Sequence, residues 1–274
     1  MKLRTIILVL VTAVSAHAGT LVLKRSWVER YKDRATIEAQ FKVDHAHKKA
    51  NDPKKDGDMH AAGRAETDVG LPMVAEVMNA GVGRPGVPAA DFIHSIEGNG
   101  KAVRVVGAWR IWFEHPASTT QTQSPTVPIP TNTNPDHCFE IHPISSIGTV
   151  DVGASFQPIK GFTPYGAQRA FGEYEGLTLT VSANASSLLL NAKKAGYNYT
   201  EFEAELLGTP QPSSDGGRLA LANIAGDDDA PVASNVRLVF APGTRALTDF
   251  MAAKAGKGDT VHLIGTFGWI NFFC

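Results

Sequence analysis

VRVVGAWRIWFE, residues 103–114, carries an apolar side chain or a glycine at every second position from Val103 to Ile111. This period-two alternation predicts a half-buried β-strand. The glycine inside it, Gly107, predicts a sharp bend or a close approach of another backbone. A matching stretch, VHLIGTFGWINF, occupies residues 261–272 and places Gly265 at the position of Gly107. The chain therefore contains two copies of one strand pattern.

Each copy of this strand follows the same series of elements at a nearly constant offset. The series is an alternating strand, a polar turn, a second strand, a third strand and a short helix. In the first copy, the three strands and the helix are residues 36–43, 58–64, 71–79 and 89–98. In the second copy, they are residues 200–208, 217–223, 235–242 and 246–256. This order is that of a small Greek-key barrel of the oligonucleotide/oligosaccharide-binding (OB) type.

A closing strand follows only in the first copy, where residues 137–147 alternate in the required way. In the second copy, residues 176–183 are the candidate for that edge. We therefore predict a mostly β protein with two tandem five-stranded OB-like Greek-key barrels, each with one short helix. A Pro/Thr-rich stretch at residues 116–135 interrupts the first barrel and is expected to be an exposed loop.

The first 18 residues have the features of a secretory signal peptide. Lys2 and Arg4 give the positive start, residues 6–14 are apolar, and Ala18 provides a small residue for cleavage before Gly19. The apolar run is shorter than the roughly 20 residues that span a bilayer, and no later segment is apolar enough. We expect an exported protein, periplasmic or extracellular, with no membrane span after cleavage.

These features divide the chain into five segments. They are a signal peptide at 1–18, an N-terminal segment at 19–34, a first OB-like barrel at 35–147, a connection at 148–175 and a second OB-like barrel at 176–274. The chain has 26 Lys and Arg residues against 27 Asp and Glu residues, which gives a net charge of −1. Nucleic-acid-binding proteins usually show a basic excess, so the sequence carries no strong nucleic-acid signature, and the partners stay unknown.

The sequence has two cysteines, Cys138 and Cys274. An oxidising compartment would allow a disulfide between them, which would tie the C-terminal region to the middle of the chain. Two independent thiols are equally consistent with the sequence, because it does not give the Cα separation on which a disulfide depends.

Two short strands carry acid–histidine pairs that suit a ligand site. DGDMHAAG, residues 56–63, places Asp58 and His60 two positions apart, and DHCFEIHPI does the same for Glu140 and His142. Residues two apart on a strand share a face, and Glu76 on an intervening strand could join them. Imidazole and carboxylate ligands suit Zn²⁺, Mn²⁺ or Fe²⁺, and the predicted ligands of a divalent metal are Asp58, His60, Glu140 and His142. The alternative is that these side chains form the solvated face of a sheet.

An aromatic residue completes the predicted ligand-binding set. Trp112 falls on the same strand face as Arg104 and Arg110, where it could stack on a base or a sugar. Trp109 shares the face of Val105 and is expected in the core. The ligand-binding set is Asp58, His60, Glu76, Glu140, His142 and Trp112. No catalytic residue is predicted, because the chain has no GxSxG, phosphate-loop or dinucleotide-binding motif.

DGDMHAAG, MVAEV, VRVVGAWRIWFEH and CFEIHPI together resemble a group of uncharacterised exported bacterial proteins. Proteins of that group have a D-G-D-x-H strand on an OB-like barrel. They also have a strand with an inward Glu, a V-x-V-x-G strand and a closing E-x-H-P. The matching positions are Asp56, Asp58, His60, Glu76, Gly107, Glu140, His142 and Pro143. The resemblance covers roughly residues 35–147 and implies the barrel and the face of interest, but no reaction. The long Pro/Thr-rich loop departs from that pattern.

The sequence favours an exported binding protein of unknown ligand that is not an enzyme. One alternative is a metal-dependent hydrolase, with phosphodiesters as one substrate class, in which the two histidines hold the metal and a carboxylate acts as base. A second alternative is a structural component of the envelope or of an assembly, whose polar strand faces form a protein interface. Any site is expected in the first barrel, because Leu219 and Leu221 stand near the matching strand of the second.

Overall fold

The structure is a computed structural model that describes residues 18–81, 86–115, 120–153, 160–175, 180–193, 198–226, 228–266 and 268. The fold is mostly β, as predicted, with 47% strand and 15% helix. The strands are β1 (Ala18–Lys24), β2 (Ile37–Ala46), β3 (Met59–Arg64), β4 (Pro72–Val77), β5 (Ala102–His115), β6 (Thr120–Thr122), β7 (His137–Ile147), β8 (Val150–Asp151), β9 (Tyr165–Gly166), β10 (Thr180–Ala183), β11 (Ser187–Lys193), β12 (Tyr199–Leu206), β13 (Gln211–Pro212), β14 (Arg218–Ala225), β15 (Pro231–Phe240) and β16 (Thr260–Thr266). The helices are α1 (Arg25–Tyr31), α2 (Gly86–Ile96), α3 (Ala167–Glu175) and α4 (Arg245–Ala253).

The first half contains a closed five-stranded barrel, which confirms the prediction of a barrel there. Its strands pair antiparallel in the order β4-β3-β2-β5-β7. A parallel pairing between β4 and β7, with Met73 opposite Phe139, closes the barrel. The predicted helix, α2, follows β4 and precedes β5 in the chain.

Alternation along each strand separates a core face from an outer face. On β2, Ile37, Ala39 and Phe41 point into the core, where each is at most 1% exposed, and the residues between them are exposed. Trp109 of β5 lies in this core, as predicted, and packs edge-on against Trp27 of α1 with ring centroids 5.3 Å apart. Removal of this apolar and aromatic surface from water is a main source of the barrel's stability.

Gly107 of β5 has the close backbone approach that the sequence predicted. A Cβ atom added at Gly107 would lie 2.5 Å from the carbonyl oxygen of Pro143 and 2.6 Å from the Cα atom of Ile144. The β5–β7 pairing is irregular at this point, with register shifts on both sides of Gly107. The absence of a side chain is therefore what allows β5 and β7 to approach this closely.

The N-terminal segment belongs to a sheet that the sequence did not predict. β1 pairs antiparallel with β11 and parallel with β6, and β10 pairs with the other edge of β11. Residues 180–183 therefore lie in this sheet and not at the edge of the second half, for which the sequence proposed them. The physical reason is the apolar run of β11, since Leu190 and its partner Leu21 are both fully buried. The Pro/Thr-rich loop contributes β6 to the same sheet and is not exposed along its whole length.

The second half forms an open sheet in the part of the chain that the structure describes. Its four long strands follow the order β15-β14-β12-β16, with short edge pairings from β13 and β9. Among the described residues, no strand pairs with both β15 and β16, so the predicted second closed barrel is not present there. The predicted helix α4 is present, and the hydroxyl oxygen of Thr244 caps it by accepting a hydrogen bond from the backbone N–H of Leu247 at 3.2 Å.

A carboxylate from the second half anchors the start of the barrel. Asp215 accepts hydrogen bonds from the backbone N–H groups of Ala35 and Thr36, at 3.2 and 2.6 Å, and from the Thr36 hydroxyl at 2.6 Å. Burial opposes the charge of this carboxylate, but hydrogen bonds from Ser213 and Thr36 hold the pKa of Asp215 below its usual range. The two halves are therefore joined by directional bonds at the point where the barrel begins.

Two predictions extend beyond the described residues. Residues 1–17 of the proposed signal peptide and Cys274 of the suggested disulfide lie outside them. Cys138 is fully buried in the barrel core, and burial raises the pKa of its thiol to about 12. No helix in the described ranges is both long and apolar enough to cross a membrane.

Gly107→Ala should lower the free energy of unfolding by about 2–3 kcal/mol, because the added methyl group overlaps backbone atoms of β7. Gly208→Ala is the matched control, since no atom lies within 4 Å of its Cβ position. It should change stability by less than about 1 kcal/mol. Urea unfolding of the two variants and the wild type measures the difference. A Gly107→Ala protein as stable as the wild type would contradict the close approach of β5 and β7.

Candidate functional site

The predicted acid–histidine pairs lie together on the outer face of the barrel. His60, Glu76, Glu140 and His142 alternate with core residues on β3, β4 and β7, and Asp58 immediately precedes β3. His60 lies opposite Glu76 in the β3–β4 pairing. The parallel β4–β7 pairing then places Glu140 and His142 alongside β4. Strand pairing therefore gathers residues that are up to 84 positions apart, the separation of His142 and Asp58.

This outer face is covered by the second half of the chain. Asp58 is 0% exposed, His142 and Glu140 are each 1% exposed, and Glu76 is 2% exposed. The ring of Tyr199, from β12, meets the His142 imidazole edge-on with centroids 5.7 Å apart. The face is buried, so the alternative of a solvated sheet face does not describe it.

His142 is at the centre of the cluster. Its Nε2 atom lies 3.0 Å from Oδ2 of Asp58 and 2.9 Å from Oη of Tyr199. The Tyr199 hydroxyl donates to the same Asp58 oxygen at 2.5 Å. On the other side of the ring, Nδ1 of His142 lies 3.5 Å from Oε1 of Glu76 and 3.7 Å from Oε2 of Glu140. Three carboxyl groups therefore surround one imidazole.

Glu140 is held by two basic side chains. Nε of Arg110 donates to Oε2 of Glu140 at 2.5 Å, and Nε2 of His137 lies 3.1 Å from Oε1. Arg110 also donates to Oδ1 of Asn198 at 2.8 Å, which links the barrel to the second half. The guanidinium carbon of Arg110 lies 5.0 Å from the centroid of the Trp112 ring. Trp112 is only 1% exposed, so it supports the buried guanidinium and is not an accessible stacking platform.

His60 lies at the border of the cluster. Its side chain is 12% exposed, and its Nε2 atom lies 3.1 Å from Oε2 of Glu76. The His60 ring stacks on His47 with centroids 4.5 Å apart and an interplanar angle of 12°. Burial and the charge of His60 lower the pKa of His47, so this stacking partner stays neutral.

Burial disfavours every charge in this cluster, and the pairings decide which charges persist. For His142, the nearby Glu76 and Glu140 carboxylates and the hydrogen bond to Asp58 outweigh burial and raise its pKa to about 10. Burial also opposes the charge of His60, yet the Glu76 carboxylate raises the pKa of His60 to about 9. The same attraction, from His142 and His60, overcomes burial and lowers the pKa of Glu76 to about 2.

The remaining groups divide into one firmly ionised acid and two groups that resist ionisation. Arg110 and His137 overcome burial and hold the pKa of Glu140 well below its usual range. Burial raises the pKa of Asp58 despite its hydrogen bond from His142. Burial and the neighbouring Asp58 raise the pKa of Tyr199 well above its usual value. The Tyr199 phenol is therefore protonated and available as a donor to Asp58.

Asp58, Glu76 and His142 form a group that could hold a metal ion. Each offers one ligand atom, and these atoms lie within 4.8 Å of one another. Within the described ranges, each residue also has a buried atom without a hydrogen-bond partner: Oδ1 of Asp58, Oε2 of Glu76 and Nδ1 of His142. The contact between Oε2 of Glu76 and His60 has the distance of an ion pair but not the geometry of a hydrogen bond. Buried polar atoms are normally paired, so each of these three side chains keeps an atom that a cation could bind.

The metal ligands predicted from the sequence overlap in part with the three side chains that lie close enough to share an ion. Asp58 and His142 belong to both sets. Glu76 belongs only to the set found in the structure, and His60 and Glu140 belong only to the predicted set. His60 and Glu140 lie next to the group and contact it, His60 through Glu76 and Glu140 through His142. Their role in the structure is to balance and orient the central three side chains.

Three residues of the cluster were not predicted from the sequence. Arg110 was placed only on the outer face of its strand, and His137 was given no role. Tyr199 had no signal, because it lies 57 residues from His142 and reaches it only through the packing of the two halves. Outer-face alternation on β5 was the one signal that could have identified Arg110.

A cavity lies between this face and the second half of the chain. A volume of about 910 Å³ is bounded by residues of β5, β7, β12, β15, β16 and α4. Its walls combine buried residues with exposed ones: Thr200 is 0% exposed and Tyr199 2%, whereas the side chains of His262 and Arg245 are 57% and 67% exposed.

No protein-family model and no curated protein matches this sequence. The function must therefore be inferred from the residues and geometry of the site itself.

Arg110→Met should lower the free energy of unfolding by about 3–5 kcal/mol, because it removes the closest basic partner of the buried Glu140 carboxylate. Arg104→Met is the matched control on the same strand. Arg104 pairs with Glu38 at 2.8 Å, but the two side chains are 50% and 47% exposed, so its loss should cost at most about 1 kcal/mol. Chemical denaturation measures both effects, and equal losses would show that burial adds nothing to the Arg110 pair.

The metal-free protein should lose stability as the pH rises from 6.5 towards 10. His142 has a pKa of about 10 in the folded chain against 6.5 when unfolded, so its stabilisation is complete below pH 6.5 and is lost above it. The loss should have a slope of up to about 1.4 kcal/mol per pH unit for each such histidine. His142→Gln should flatten the slope more than His262→Gln does, because Glu203 and Glu201 raise the pKa of His262 at an exposed site. Urea unfolding of chelator-treated protein at several pH values checks this, and a slope unchanged in His142→Gln would contradict it.

Proposed function

We propose that this protein is a non-enzymatic binding protein that holds one transition-metal ion at Asp58, Glu76 and His142. The observation that carries the proposal is the coincidence of three facts at one place. The three ligand atoms lie within 4.8 Å of one another, all three side chains are nearly fully buried, and each has an unpaired buried atom among the described residues. One imidazole and two carboxylates suit zinc, manganese or iron.

The burial of the site favours binding over hydrolysis. A catalytic metal keeps a coordination position open to water and substrate, whereas a structural metal site is closed. Glu76 and His142 are only 2% and 1% exposed, and of the three proposed ligands only His142 borders the cavity between the halves, which limits the access of water and substrate to the site. The same burial argues against a structural envelope component that uses these polar strand faces as its interface, since the second half of the chain already covers them.

The proposal includes two features on which the metal site does not depend. Export to the periplasm or outside the cell rests on the signal-like residues 1–18. A tandem OB-like origin of the two halves is supported by strand order, because β15-β14-β12-β16 repeats the order β4-β3-β2-β5 of the barrel. The resemblance to uncharacterised exported bacterial proteins is consistent with both features.

The test is the metal content of the mature protein, purified from Gly19 onward without a His tag. Elemental mass spectrometry should find about one transition-metal ion per chain after incubation with zinc, manganese and iron salts and removal of the excess. Glu76→Gln and His142→Ala should lose this ion, because each removes a ligand. His60→Ala should retain it, because His60 lies outside the three-residue group.

His262→Ala is the matched control for the loss of an imidazole. His262 lies between two carboxylates, 2.7 Å from Glu203 and 2.9 Å from Glu201, but its side chain is 57% exposed. This variant should keep the wild-type metal content. A wild-type chain that remains free of metal, or a folded His142→Ala chain that keeps its ion, would refute the proposal.

A further inference from the structure

The cavity between the two halves follows the open side of the second sheet. Its volume is about 910 Å³, and its wall includes residues 234–241, along β15, and residues 261–266 of β16. In the closed barrel, β7 pairs with both β4 and β5, whose counterparts in the second half are β15 and β16. Among the described residues, no strand takes the matching place in the second half. The cavity therefore extends along two strand edges, and six residues of a strand span about 20 Å.

The side chains that face this cavity from the second half are mainly apolar. Four residues of its wall are at most 8% exposed: Phe202, Leu238, Phe240 and Phe250. Leu263 of β16 lies directly opposite Phe202 in the β12–β16 pairing, so it shares the same face of the sheet. Cavities of about 300–1,000 Å³ with mostly apolar walls and a few polar groups are the usual form of small-molecule sites. Burial of an apolar chain against these walls would stabilise a complex.

One polar atom in the wall has no partner. Thr200 borders the cavity, is 0% exposed and lies two residues from Phe202 on β12, so both side chains face the same side of the strand. Its Oγ1 atom is buried without a hydrogen-bond partner among the described residues. A buried polar group that stays unpaired costs free energy. A ligand oxygen beside Thr200 would remove that cost, because a hydroxyl group can both donate and accept.

We propose that the cavity binds a neutral lipid-like molecule, with its apolar chain along β15 and β16 and one hydroxyl or carbonyl oxygen at Thr200. Fatty alcohols and fatty-acid esters have this chemistry. The inference goes beyond the metal site and does not depend on it. Of the three proposed metal ligands, only His142 borders the cavity.

The wall of the cavity selects an uncharged polar group. Two basic residues of the described wall are nearly fully buried, Arg110 and His142. Arg110 already pairs with Glu140 at 2.5 Å, and His142 already faces three carboxyl groups. A carboxylate at Thr200 would add a buried negative charge for which these two groups are not free, and such a charge is costly. An uncharged oxygen bonds the Thr200 hydroxyl without that cost.

The cavity reaches solvent beside α4. Arg245 and Asp249 of this helix border the cavity, and their side chains are 67% and 65% exposed. They pair with each other at 3.2 Å, so the rim is polar where the interior is apolar. A molecule with one polar end therefore has a path from solvent into the cavity on the α4 side.

The experiment uses N-phenyl-1-naphthylamine, a neutral dye whose fluorescence rises in apolar surroundings, with the untagged, chelator-treated mature chain. The dye should bind at about one molecule per chain. 1-Decanol and methyl decanoate should displace it at concentrations about 10-fold lower than decanoate, because decanoate brings a charge that the cavity does not balance.

Thr200→Val tests the position of the polar end. It should weaken the binding of 1-decanol about 10-fold, because it removes the hydroxyl that pairs with the ligand. The fold should be retained, since the variant replaces an unpaired buried hydroxyl with a methyl group. Thr260→Val, at an exposed threonine of β16, is the matched control and should leave the affinity unchanged.

Leu263→Lys tests the position of the apolar chain. A lysine at this half-buried position places an unpaired charge in the cavity wall, so the dye and 1-decanol should both bind more than about 10-fold more weakly. Leu221→Lys is the matched control, because Leu221 of β14 is 49% exposed, and it should bind both molecules as the wild type does. If Leu263→Lys does not fold, the comparison of Thr200→Val with Thr260→Val decides the question.

The outcomes are independent of the proposed metal site, because every titration uses the metal-free chain. Absence of saturable dye binding, or unchanged binding in folded Leu263→Lys, would overturn the cavity as a ligand site. Decanoate that binds as tightly as 1-decanol would overturn the neutral ligand. An unchanged affinity for 1-decanol in Thr200→Val would overturn the placement of the oxygen at Thr200.

Discussion

The pairing of buried carboxyl groups with Arg110 and the histidines is the constraint on which the rest of the structure depends. Removing a charge from water costs several kcal/mol, and the cost is recovered only with good geometry and further hydrogen bonds. Glu140 has that geometry through Arg110 and His137, and Asp58 through His142 and Tyr199. Because these partners come from both halves, the charges persist only if the barrel is in register and the second half is docked.

The register of the barrel strands brings the buried carboxyl groups next to their partners. The β3–β4 pairing sets His60 opposite Glu76, and the β5–β7 pairing sets Arg110 opposite Glu140. The parallel β4–β7 pairing then joins the two pairs on one face. A slip of one residue in any of these pairings would turn charged side chains into the apolar core, so the hydrophobic pattern and the charge pattern specify the same register.

The sequence predicted what local alternation determines, and the limits of the prediction have the same origin. Alternation gave the barrel strands, the core position of Trp109 and the shared faces of Asp58 with His60 and of Glu140 with His142. It could not give the burial of those faces, because burial depends on Tyr199 and other residues that are distant in the chain. The sequence could not predict the strand that pairs with β1 either, since the pairing of Leu21 with Leu190 depends on how three sheets assemble.

Placing the polar cluster between the two halves makes their docking directional. An apolar interface of similar area would tolerate small shifts, because burial energy depends on area and hardly on direction. Here Tyr199 must donate to Asp58 and Asn198 must accept from Arg110, so a displaced second half would leave charged groups buried and unpaired.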